Sequence, residues 1–472
     1  MRRTFLFAVL AVAGVAGALR PDASSVLHAD QLPSSPVYAI RGAKIVTAAG
    51  ATIDKGNLVM RNGLIADVSA TAAIPDDAIV VDGTGMTVYP GLIDMGNTAA
   101  VESAAPATGA RGAAPAPAAG GGGRAGGAAA GPTWADGDRA KREALLNADF
   151  EAARHVRVDG PEMQRYAMAG ITSLLAVPTD GLIKGQSALI NTTAGEEAMQ
   201  VSAVGGDRRG DVIVRAPVAQ HVALSGGRGG GAGYPAAMLG QIAFVRQAFY
   251  DAQWQKDART WAGTHKDQPL PSFEPVLDAL APALNGTMPV SFEAGELREI
   301  LRALNMAKEF KLDPIITGGI EAAAAVADLQ AAKARVILTL GAGAGGGRGG
   351  AGGGGGRGGA GTSARVTEMQ QNAPKAAAAL EKAGIAYAFS SAGLQNPTDL
   401  VRGVARAIRE GGLTADQAIR ALTVNAARMA GAADRLGSLE KGKIANVIVT
   451  DGDLFADATR VRRVFIDGRE VR

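Results

Sequence analysis

The segment from Val88 to Ala99, which reads V-Y-P-G-L-I-D-M-G-N-T-A, constrains the fold more than any other part of this chain. A polar, turn-rich stretch at residues 82–85 precedes it, and Pro90-Gly91 divides its apolar run in two. This order predicts that a small β domain ends near Pro90 and that a buried parallel strand begins after Gly91. Asp94 would then lie at the C-terminal end of that strand.

Short strand patterns occur near both ends of the chain. In the N-terminal group, Arg61-Asn62-Gly63 carries an Asn-Gly pair of the kind that closes a β-hairpin. The group consists of residues 38–40, 44–46, 57–60, 64–68 and 78–81. At the other end, residues 436–449 are followed by a strand pair around Asp467-Gly468. Each group predicts part of an antiparallel β unit.

The region between these groups alternates strand and helix patterns, as a parallel barrel requires. Strands are predicted at residues 169–178, 211–214, 289–293, 314–317, 335–340 and 386–390. An amphipathic helix is predicted from the spacing of Leu297, Ile300, Leu301, Leu304 and Ala307. Thr414 and Gln417 form a capping-box pattern at the start of a later helix.

Three of these segments carry a resemblance to the amidohydrolase superfamily. Residues 90–94, P-G-L-I-D, closely resemble its P-G-[LF]-[IV]-D signature, and residues 169–173, A-G-I-T-S, resemble its second strand. Residues 436–449 are similar to its G-S-[IL]-E-x-G-K-x-A-D segment, with Asn446 in place of the aspartate. The resemblance is closest to exported amidohydrolases of the imidazolonepropionase-like kind. It implies a (β/α)8 TIM-like barrel at residues 91–435, flanked by a β-sandwich composed of residues 37–90 and 436–472.

The resemblance also implies a divalent metal, usually zinc, held by histidines of the first, fifth and sixth strands and an aspartate of the eighth. At the two positions after the first strand this chain has Gly96 and Thr98. The other positions are occupied by Glu293, Gly318 and Ala392. Only Glu293 offers a metal-binding side chain of the usual kind. We therefore expect no cofactor, and a vestigial pocket where these five positions cluster at the C-terminal ends of the strands.

Other residues are weak candidates for a catalytic role. Asp94 and Glu293 together would make a poor cation cage, and Ser391 lacks both a G-x-S-x-G elbow and a visible histidine partner. The four histidines are His28, His155, His221 and His265. None has a second ligand at metal-binding spacing, and only His221 lies near a predicted strand end.

Three Gly/Ala/Arg-rich stretches, at about residues 103–132, 225–233 and 341–363, are too polar and too flexible in composition to build a core. We expect them to emerge as unstructured loops over the mouth of the barrel. Their Arg-Gly-Gly repeats also occur in RNA-binding segments, but they contain no aromatic residue that could stack on a base. Removing their five arginines from the net charge of +3 leaves 3 − 5 = −2, so nucleic acid is not an expected partner.

The N-terminus predicts export. Arg2 and Arg3 precede an apolar run at residues 5–15, and Ala16-Gly17-Ala18 has the form of a cleavage site. Residues 1–18 are thus predicted to be a signal peptide and residues 19–36 a flexible leader, with an uncleaved membrane anchor as the alternative. No other run reaches membrane-spanning length, so a periplasmic location is expected. The absence of cysteine excludes disulfides, thiolate metal sites and cysteine nucleophiles.

Two functions follow from these features. By resemblance the chain would hydrolyse C–N bonds other than peptide bonds, but the replaced metal ligands favour a catalytically degenerate homologue. Such a protein would bind a small ligand, or pair with an active homologous amidohydrolase subunit or with a second copy of itself. The alternative is an active amidohydrolase with a relocated or metal-independent site, for which zinc would be the metal if one is used.

Overall fold

A computed structural model describes residues 36–102, 134–157, 161–192, 212–224, 235, 237–267, 272–340 and 364–471. The predicted signal peptide and the three Gly/Ala/Arg-rich stretches lie outside these residues. Of the predicted leader, only residue 36 is described. No helix in the described ranges is both long enough and apolar enough to cross a membrane.

The strands, in chain order, are β1 (Val37–Ile45), β2 (Ile53–Arg61), β3 (Leu64–Ser69), β4 (Ala78–Asp82), β5 (Thr87–Pro90), β6 (Leu92–Asn97), β7 (Ile171–Ala176), β8 (Ile183–Gln186), β9 (Ala188–Asn191), β10 (Ile213–Arg215), β11 (Gln220–Ala223), β12 (Val290–Ala294), β13 (Pro314–Gly318), β14 (Arg335–Thr339), β15 (Tyr387–Ser390), β16 (Val447–Thr450), β17 (Val461–Ile466) and β18 (Arg469–Glu470).

The α-helices are α1 (Trp134–Leu145), α2 (Pro161–Met168), α3 (Met238–Thr264), α4 (Pro275–Asp278), α5 (Ala281–Leu284), α6 (Leu297–Phe310), α7 (Val326–Ala331), α8 (Ala364–Lys382), α9 (Thr398–Gly411), α10 (Ala415–Leu422) and α11 (Val424–Met429). Two short 3-10 helices are formed by Ala152–Arg154 and Ala322–Ala325.

Strands from the two ends of the chain form one eight-stranded sheet in the order β18-β17-β16-β5-β1-β2-β3, with β4 also paired to β1. The junction is the antiparallel pair β5–β16, in which Thr87 lies opposite Thr450 and Pro90 opposite Val447. Residues 37–90 and the C-terminal strands therefore share a hydrogen-bonded ladder, as the sequence predicts.

This sheet bends back so that its ends approach each other. Ala445, just before β16, donates its N–H to the carbonyl of Gly63 in the β2–β3 turn and accepts a hydrogen bond from the N–H of Gly468 in the β17–β18 turn. On the inner face, the rings of Tyr38 and Phe465 meet edge to face at 5.2 Å between centroids. The predicted β-sandwich is thus present in part: both termini build it, but as one strongly bent sheet.

The middle of the chain is a mixed α/β region with two further sheets, ordered β10-β9-β7-β6 and β15-β14-β13-β12-β11-β8. Strands β6 and β7 are parallel, and so are β11 to β15, as predicted for a barrel. Strands β8, β9 and β10, however, pair antiparallel with their neighbours. The strand predicted at residues 211–214 is β10, and its antiparallel pairing to β9 departs from an all-parallel (β/α)8 arrangement.

The departure has a local cause in the segment that joins β8 to β9. Gly185 has a φ of +113°, a conformation that favours glycine, and its position leaves no room for a side chain beside the Phe150 carbonyl. Ser187 then leaves both ladders, since its N–H donates to Ala219 and its carbonyl accepts from Val218. The extended segment formed by β8 and β9 therefore contributes its first half to the six-stranded sheet and its second half to the four-stranded sheet.

The other two edges of these sheets meet where β6 approaches β15. Ser390 Oγ donates to the carbonyl of Gly96 at 3.0 Å, and the Ser391 N–H donates to Asp94 Oδ1 at 2.8 Å. Both contacts lie at the carboxyl ends of their strands. Helices cover the outer faces of the parallel strands, and Ile300, Leu304 and Ala307 of α6 are buried there as predicted. The predicted capping box of Thr414 and Gln417 also forms, at the start of α10.

A buried amide joins the terminal sheet to the rest of the molecule. Asn446 Nδ2 donates to Ser173 Oγ at 3.1 Å and to Asn191 Oδ1 at 2.8 Å, while Asn446 Oδ1 accepts from the Asp467 N–H at 3.0 Å. Asn191 in turn donates to the Asp467 carboxylate at 2.9 Å, and burial raises the pKa of Asp467. An aspartate at position 446 could not make both donations and would place a second carboxylate near the first. The departure from the family sequence is therefore explained by this network.

We expect Asn446→Asp to lower the free energy of unfolding near neutral pH by about 1–3 kcal/mol, because it removes two donors and crowds two buried carboxylates. Burial beside Asp467 would raise the pKa of the new carboxyl group in the folded state. The loss of unfolding free energy should therefore shrink as the pH is lowered and this group becomes protonated. Urea unfolding at several pH values measures it. Asn285→Asp, at an exposed amide that accepts from Lys256 Nζ, is the control and should cost little. A pH-independent loss would contradict the argument.

Candidate functional site

The carboxyl ends of β6, β13, β14 and β15 bring several of the predicted site residues together. Thr339 is in register with Ser390, and its Oγ1 donates to the carbonyl of Gly318 at 3.0 Å. Ser390 Oγ in turn contacts the carbonyl of Gly96. These two hydrogen bonds and the register of β14 and β15 therefore place Gly318, Thr339, Ser390 and Gly96 in one row across three adjacent strands and the β6–β15 junction.

Asp94 lies at the centre of the β6–β15 junction and is fully buried. Its carboxylate accepts hydrogen bonds from the N–H groups of Gly96, at 3.2 Å, and Ser391, at 2.8 Å. The hydroxyl of Ser391 and the side-chain amide of Asn97 also donate to it. Burial raises the pKa of Asp94, whereas the Ser391 donors oppose that rise. Through these hydrogen bonds the Asp94 carboxylate joins β6 to the segment that follows β15.

A tyrosine from a neighbouring helix completes the surroundings of Asp94. Tyr166 of α2 interacts with the side chains of Ser391 and Asn97. Burial, together with the adjacent Asp94 carboxylate, raises the pKa of this phenol. Tyr166 was not singled out from the sequence, because a tyrosine on an amphipathic helix gives no pattern that distinguishes it from a core residue.

Two of the positions expected to hold metal-binding histidines have backbones that leave little room for a side chain. A Cβ atom at Gly96 would collide with Ser390 Oγ. Gly318 has a φ of +115°, and a Cβ atom there would lie 3.0 Å from the carbonyl oxygen of Ala294. The replacement of histidine at these positions is therefore accompanied by a local structure adapted to glycine.

The remaining two replaced positions flank the same region without adding a metal donor of the usual kind. Thr98 is exposed just beyond β6, and Ala392 follows Ser391 with its N–H donating to Ser390 Oγ at 3.0 Å. Of the five positions, Gly96, Gly318 and Ala392 are joined by the hydrogen bonds described above. Glu293 is linked to this row through the register of β12 and β13, in which Ala294 lies opposite Gly318.

Glu293 is engaged by a residue that the sequence did not point to. Its carboxylate forms an ion pair with the ammonium group of Lys184, whose side chain is only 12% exposed. Lys184 lies on β8, at a position where no strand was predicted, so no sequence pattern placed it beside β12. The pair provides two charges of opposite sign inside the strand assembly.

His221 lies next to this ion pair. In the parallel ladder of β11 and β12, His221 is opposite Ser291 and Ala223 is opposite Glu293, so these residues share one side of the sheet. Ser291 shares a hydrogen bond of 2.7 Å with Thr317 of β13. Lys184, Glu293, His221, Ser291 and Thr317 thus form a polar group, here called the inner polar cluster.

The electrostatic state of His221 is set by its burial. The ring is 1% exposed, and neither ring nitrogen has a hydrogen-bond partner in the described part of the chain. Burial, together with the nearby Lys184 ammonium group, lowers the pKa of His221 to about 3. The imidazole is therefore neutral at physiological pH and offers one donor and one acceptor.

The other described histidines lie against aromatic rings away from this cluster. His155 stacks on Phe150 at 4.5 Å and His265 stacks on Trp261 at 4.2 Å, both measured between ring centroids. His28 lies outside the described residues. The sequence distinguished His221 from the other histidines only by its position near a predicted strand end, and it could not show the neighbours of this ring.

The donor set of this region does not fit the zinc site that the resemblance implies. A catalytic zinc site takes about three protein ligands together with water. Here the Asp94 carboxylate is saturated by its protein donors and Glu293 is paired with Lys184, while Gly96, Gly318 and Ala392 supply no donor side chain. Within the described ranges, no three histidine, aspartate or glutamate side chains converge as metal ligands would.

A separate apolar cavity of about 280 Å³ lies between α1 and α3. Leu145, Leu146, Phe244 and Ala248 contribute to its lining. None of the predicted site residues lines it, so it is distinct from the polar region at the strand ends.

Comparisons with known proteins support the resemblance seen in the sequence. Residues 360–471 match the model of the amidohydrolase family. No curated protein matches the chain. Among solved structures, an amidohydrolase from Thermotoga maritima superposes with a TM-score of 0.69 at 20% identity, covering 92% of this chain and 99% of that one.

Two prolidase structures are similar at a lower level. A prolidase complexed with N-methylphosphonate-L-proline has a TM-score of 0.52 at 18% identity, over 92% of this chain and 99% of that one. A putative prolidase from Bifidobacterium longum has a TM-score of 0.51 at 16% identity, over 93% and 95%. At these identities the likeness concerns the fold. Together with the family match, it confirms the amidohydrolase resemblance.

The buried, neutral His221 predicts a specific pH dependence of stability. Between pH 3 and about pH 6.5 the unfolded chain binds a proton at this ring and the folded chain does not. The free energy of unfolding should therefore decrease as the pH is lowered through this range. This group alone should contribute a decrease of about 2 kcal/mol between pH 7 and pH 5. His221→Leu should remove that contribution, which denaturant unfolding at each pH would measure. His265→Leu, at an exposed ring, is the control. An unchanged slope in His221→Leu would refute the assignment.

Proposed function

We propose, on the premise of the amidohydrolase family match and the amidohydrolase fold, that this protein is a catalytically degenerate amidohydrolase homologue that binds a small polar ligand. The binding region would be the carboxyl ends of β6 and β11 to β15, arranged as an amidohydrolase-type barrel mouth. The ligand class is small amide-bearing compounds, which are the compounds that an amidohydrolase fold is expected to accommodate.

The observation that carries this proposal is the use of both candidate carboxylates in contacts within the protein. Asp94 is fixed by Ser391 and two further donors, and Glu293 is paired with Lys184. Releasing either carboxylate for a metal would leave a largely buried partner without its counterpart, which is costly. The local structure at Gly96 and Gly318 supports the same conclusion, since an added side chain at either position would require its neighbours to shift.

The inner polar cluster provides the recognition chemistry. Lys184 supplies a donor, Glu293 an acceptor, and the neutral ring of His221 one of each. An amide offers a carbonyl acceptor and an N–H donor, so it complements this set. The two unpartnered nitrogens of His221 are the groups that gain most from such a ligand, because a buried polar atom without a partner is destabilising.

The second candidate is an active amidohydrolase with a relocated site. It is favoured by one observation: a neutral imidazole lies beside a lysine–glutamate ion pair in the interior. A neutral histidine can accept a proton from an attacking water, and an adjacent ammonium group can stabilise developing negative charge. This candidate requires turnover that survives removal of metal, or zinc bound by residues away from these strand ends.

The setting of the protein is part of the proposal. The N-terminal sequence supports export to the periplasm, with residues 1–18 removed. A homologous amidohydrolase subunit, or a second copy of the chain, remains the proposed macromolecular partner.

Elemental analysis of the purified mature chain after zinc loading and dialysis tests the metal aspect. We expect far less than one zinc per chain and no amidase turnover, because the described residues offer no set of three converging ligands. Glu293→Ala is the matched variant and should leave this low zinc content unchanged. Amidase turnover, with or without about one zinc per chain, would decide for the active enzyme, and loss of that zinc in Glu293→Ala would place it at this carboxylate.

A thermal-shift panel of small amides and dipeptides tests the ligand class. Ligands that bind the inner polar cluster should raise the melting temperature of the wild-type protein by mass action. The double variant Lys184→Met/Glu293→Leu removes the cluster's ion pair without leaving an unpaired charge, and its shift should be lost.

The control for this panel is Arg335→Met/Asp313→Leu, which removes an ion pair at the opposite ends of β13 and β14. It should keep the wild-type shift. A shift that persists in the Lys184/Glu293 double variant would place binding elsewhere.

A further inference from the structure

Helix α3 carries a row of large apolar side chains that the described residues leave exposed. The exposed fractions are 81% for Leu239, 47% for Tyr250, 62% for Trp254 and 52% for Trp261. At 3.6 residues per turn, these four positions fall within an arc of about 60° on the helix surface. We call them the α3 stripe.

Chance does not readily account for this stripe. Aromatic residues make up only 4% of the chain, and it has three tryptophans in total. Two of the three are exposed on this one face. Single exposed apolar residues are ordinary in folded proteins, but an aligned group of this size marks an interaction surface.

The stripe is held in place from beneath. Val245, Phe249 and Ala252 on the other side of α3 are buried in the core. Glu309 of α6 accepts hydrogen bonds from Tyr250 Oη at 2.8 Å and from Arg246 Nε at 3.0 Å. Tyr250 also packs edge to face on Phe310 at 4.9 Å. The surface is therefore preorganised, which reduces the entropy lost on binding.

We propose that the α3 stripe is the interface of a symmetric homodimer, in which α3 of one copy packs antiparallel on α3 of a second copy. This inference specifies the surface through which a second copy of the chain, proposed above as a partner, would bind. It does not depend on the proposed ligand site, because none of its residues belongs to the site at the strand ends.

Charge complementarity selects a second copy as the occupant. Arg246 and Asp257 are exposed on the same face as the stripe. A twofold axis between Asp251 and Ala252, close to the middle of the helix, exchanges position 246 with position 257. Each Arg246 then meets the partner's Asp257, and the reverse, so one pairing satisfies two charges on each copy. Asp257 has no ion pair or hydrogen bond in the described part of its own chain, whereas Arg246 uses only Nε for Glu309.

The same axis places the aromatic residues where they contribute most. Tyr250 and Trp254 lie within about 4 Å of it along the helix, at 1.5 Å per residue. The tyrosines and tryptophans of both copies would therefore meet at the centre, where interface residues that dominate binding energy are usually found. Leu239 and Trp261 extend the contact toward the two ends.

The size of the contact sets the expected strength. A helix of 27 residues is about 40 Å long and 10–12 Å wide, so it presents a footprint of about 400 Å². Two copies would bury on the order of 800 Å², which is below the range of stable interfaces. We therefore expect a reversible dimer with a dissociation constant in the micromolar range.

Sedimentation equilibrium of the purified full-length mature chain across micromolar concentrations tests this inference. The wild-type protein should dimerise, and Trp254→Gln should weaken the dimer by about thirtyfold or more. Met168→Gln, at a methionine that is 53% exposed outside the stripe, is the matched control and should keep the wild-type affinity. Circular dichroism should show unchanged helix content in all variants.

A charge exchange tests the proposed register. Arg246→Glu alone and Asp257→Arg alone should each dimerise poorly, because like charges then face each other. An equimolar mixture of the two single variants should form a heterodimer, since both pairs are again of opposite sign. Recovery on mixing supports the antiparallel pairing, and failure to recover overturns it.

Two further outcomes would overturn the proposed dimer interface. A wild-type chain that stays monomeric throughout the concentration range, or a dimer that survives Trp254→Gln unchanged, overturns the assignment. Vesicles of anionic lipid provide the last test. A monomeric wild-type chain that binds such vesicles and loses this binding in Trp254→Gln would assign the stripe to a lipid surface, against our inference.

Discussion

The contact on which the central region depends is the one between the Asp94 carboxylate and Ser391. It joins the first strand of the parallel set to the last, at the point where neither strand has a complete ladder partner. Asp94 is the third residue of β6, which continues to Asn97 and so extends beyond the end that the sequence predicts. Its carboxylate holds the start of the segment after β15 against β6, and this structural role requires no catalytic chemistry.

Asn446 shows how far such rearrangement extends from the strand ends. In this chain the amide donates to two acceptors and accepts from a third group, and it lies between the terminal sheet and β7 and β9. Position 446 and the glycines at 96 and 318 depart from the family sequence, and each departure fits its immediate surroundings.

Local patterns in the sequence predicted the features that depend on neighbours along the chain. The Pro90–Asp94 segment, the Thr414–Gln417 capping box and the apolar face of α6 formed as expected, because turns, caps and amphipathic faces are encoded within a few residues. Strand direction in residues 183–215 was not predictable, since antiparallel pairing there depends on a bend at Gly185 and Ser187. Lys184 was missed for the same reason: its partner Glu293 is 109 residues away, and only the sheet brings them together.

The terminal sheet cannot finish folding until both ends of the chain have been synthesised. Thr87 and Thr450 are in contact although 363 residues separate them. A ribosome releases the N-terminal strands long before the strands that complete their sheet exist. Until then β5 has an unpaired edge, which is a template for pairing with other chains. If the chain crosses a membrane before folding, both halves of the sheet arrive unfolded in one compartment. The exposed edge then lasts only as long as translocation.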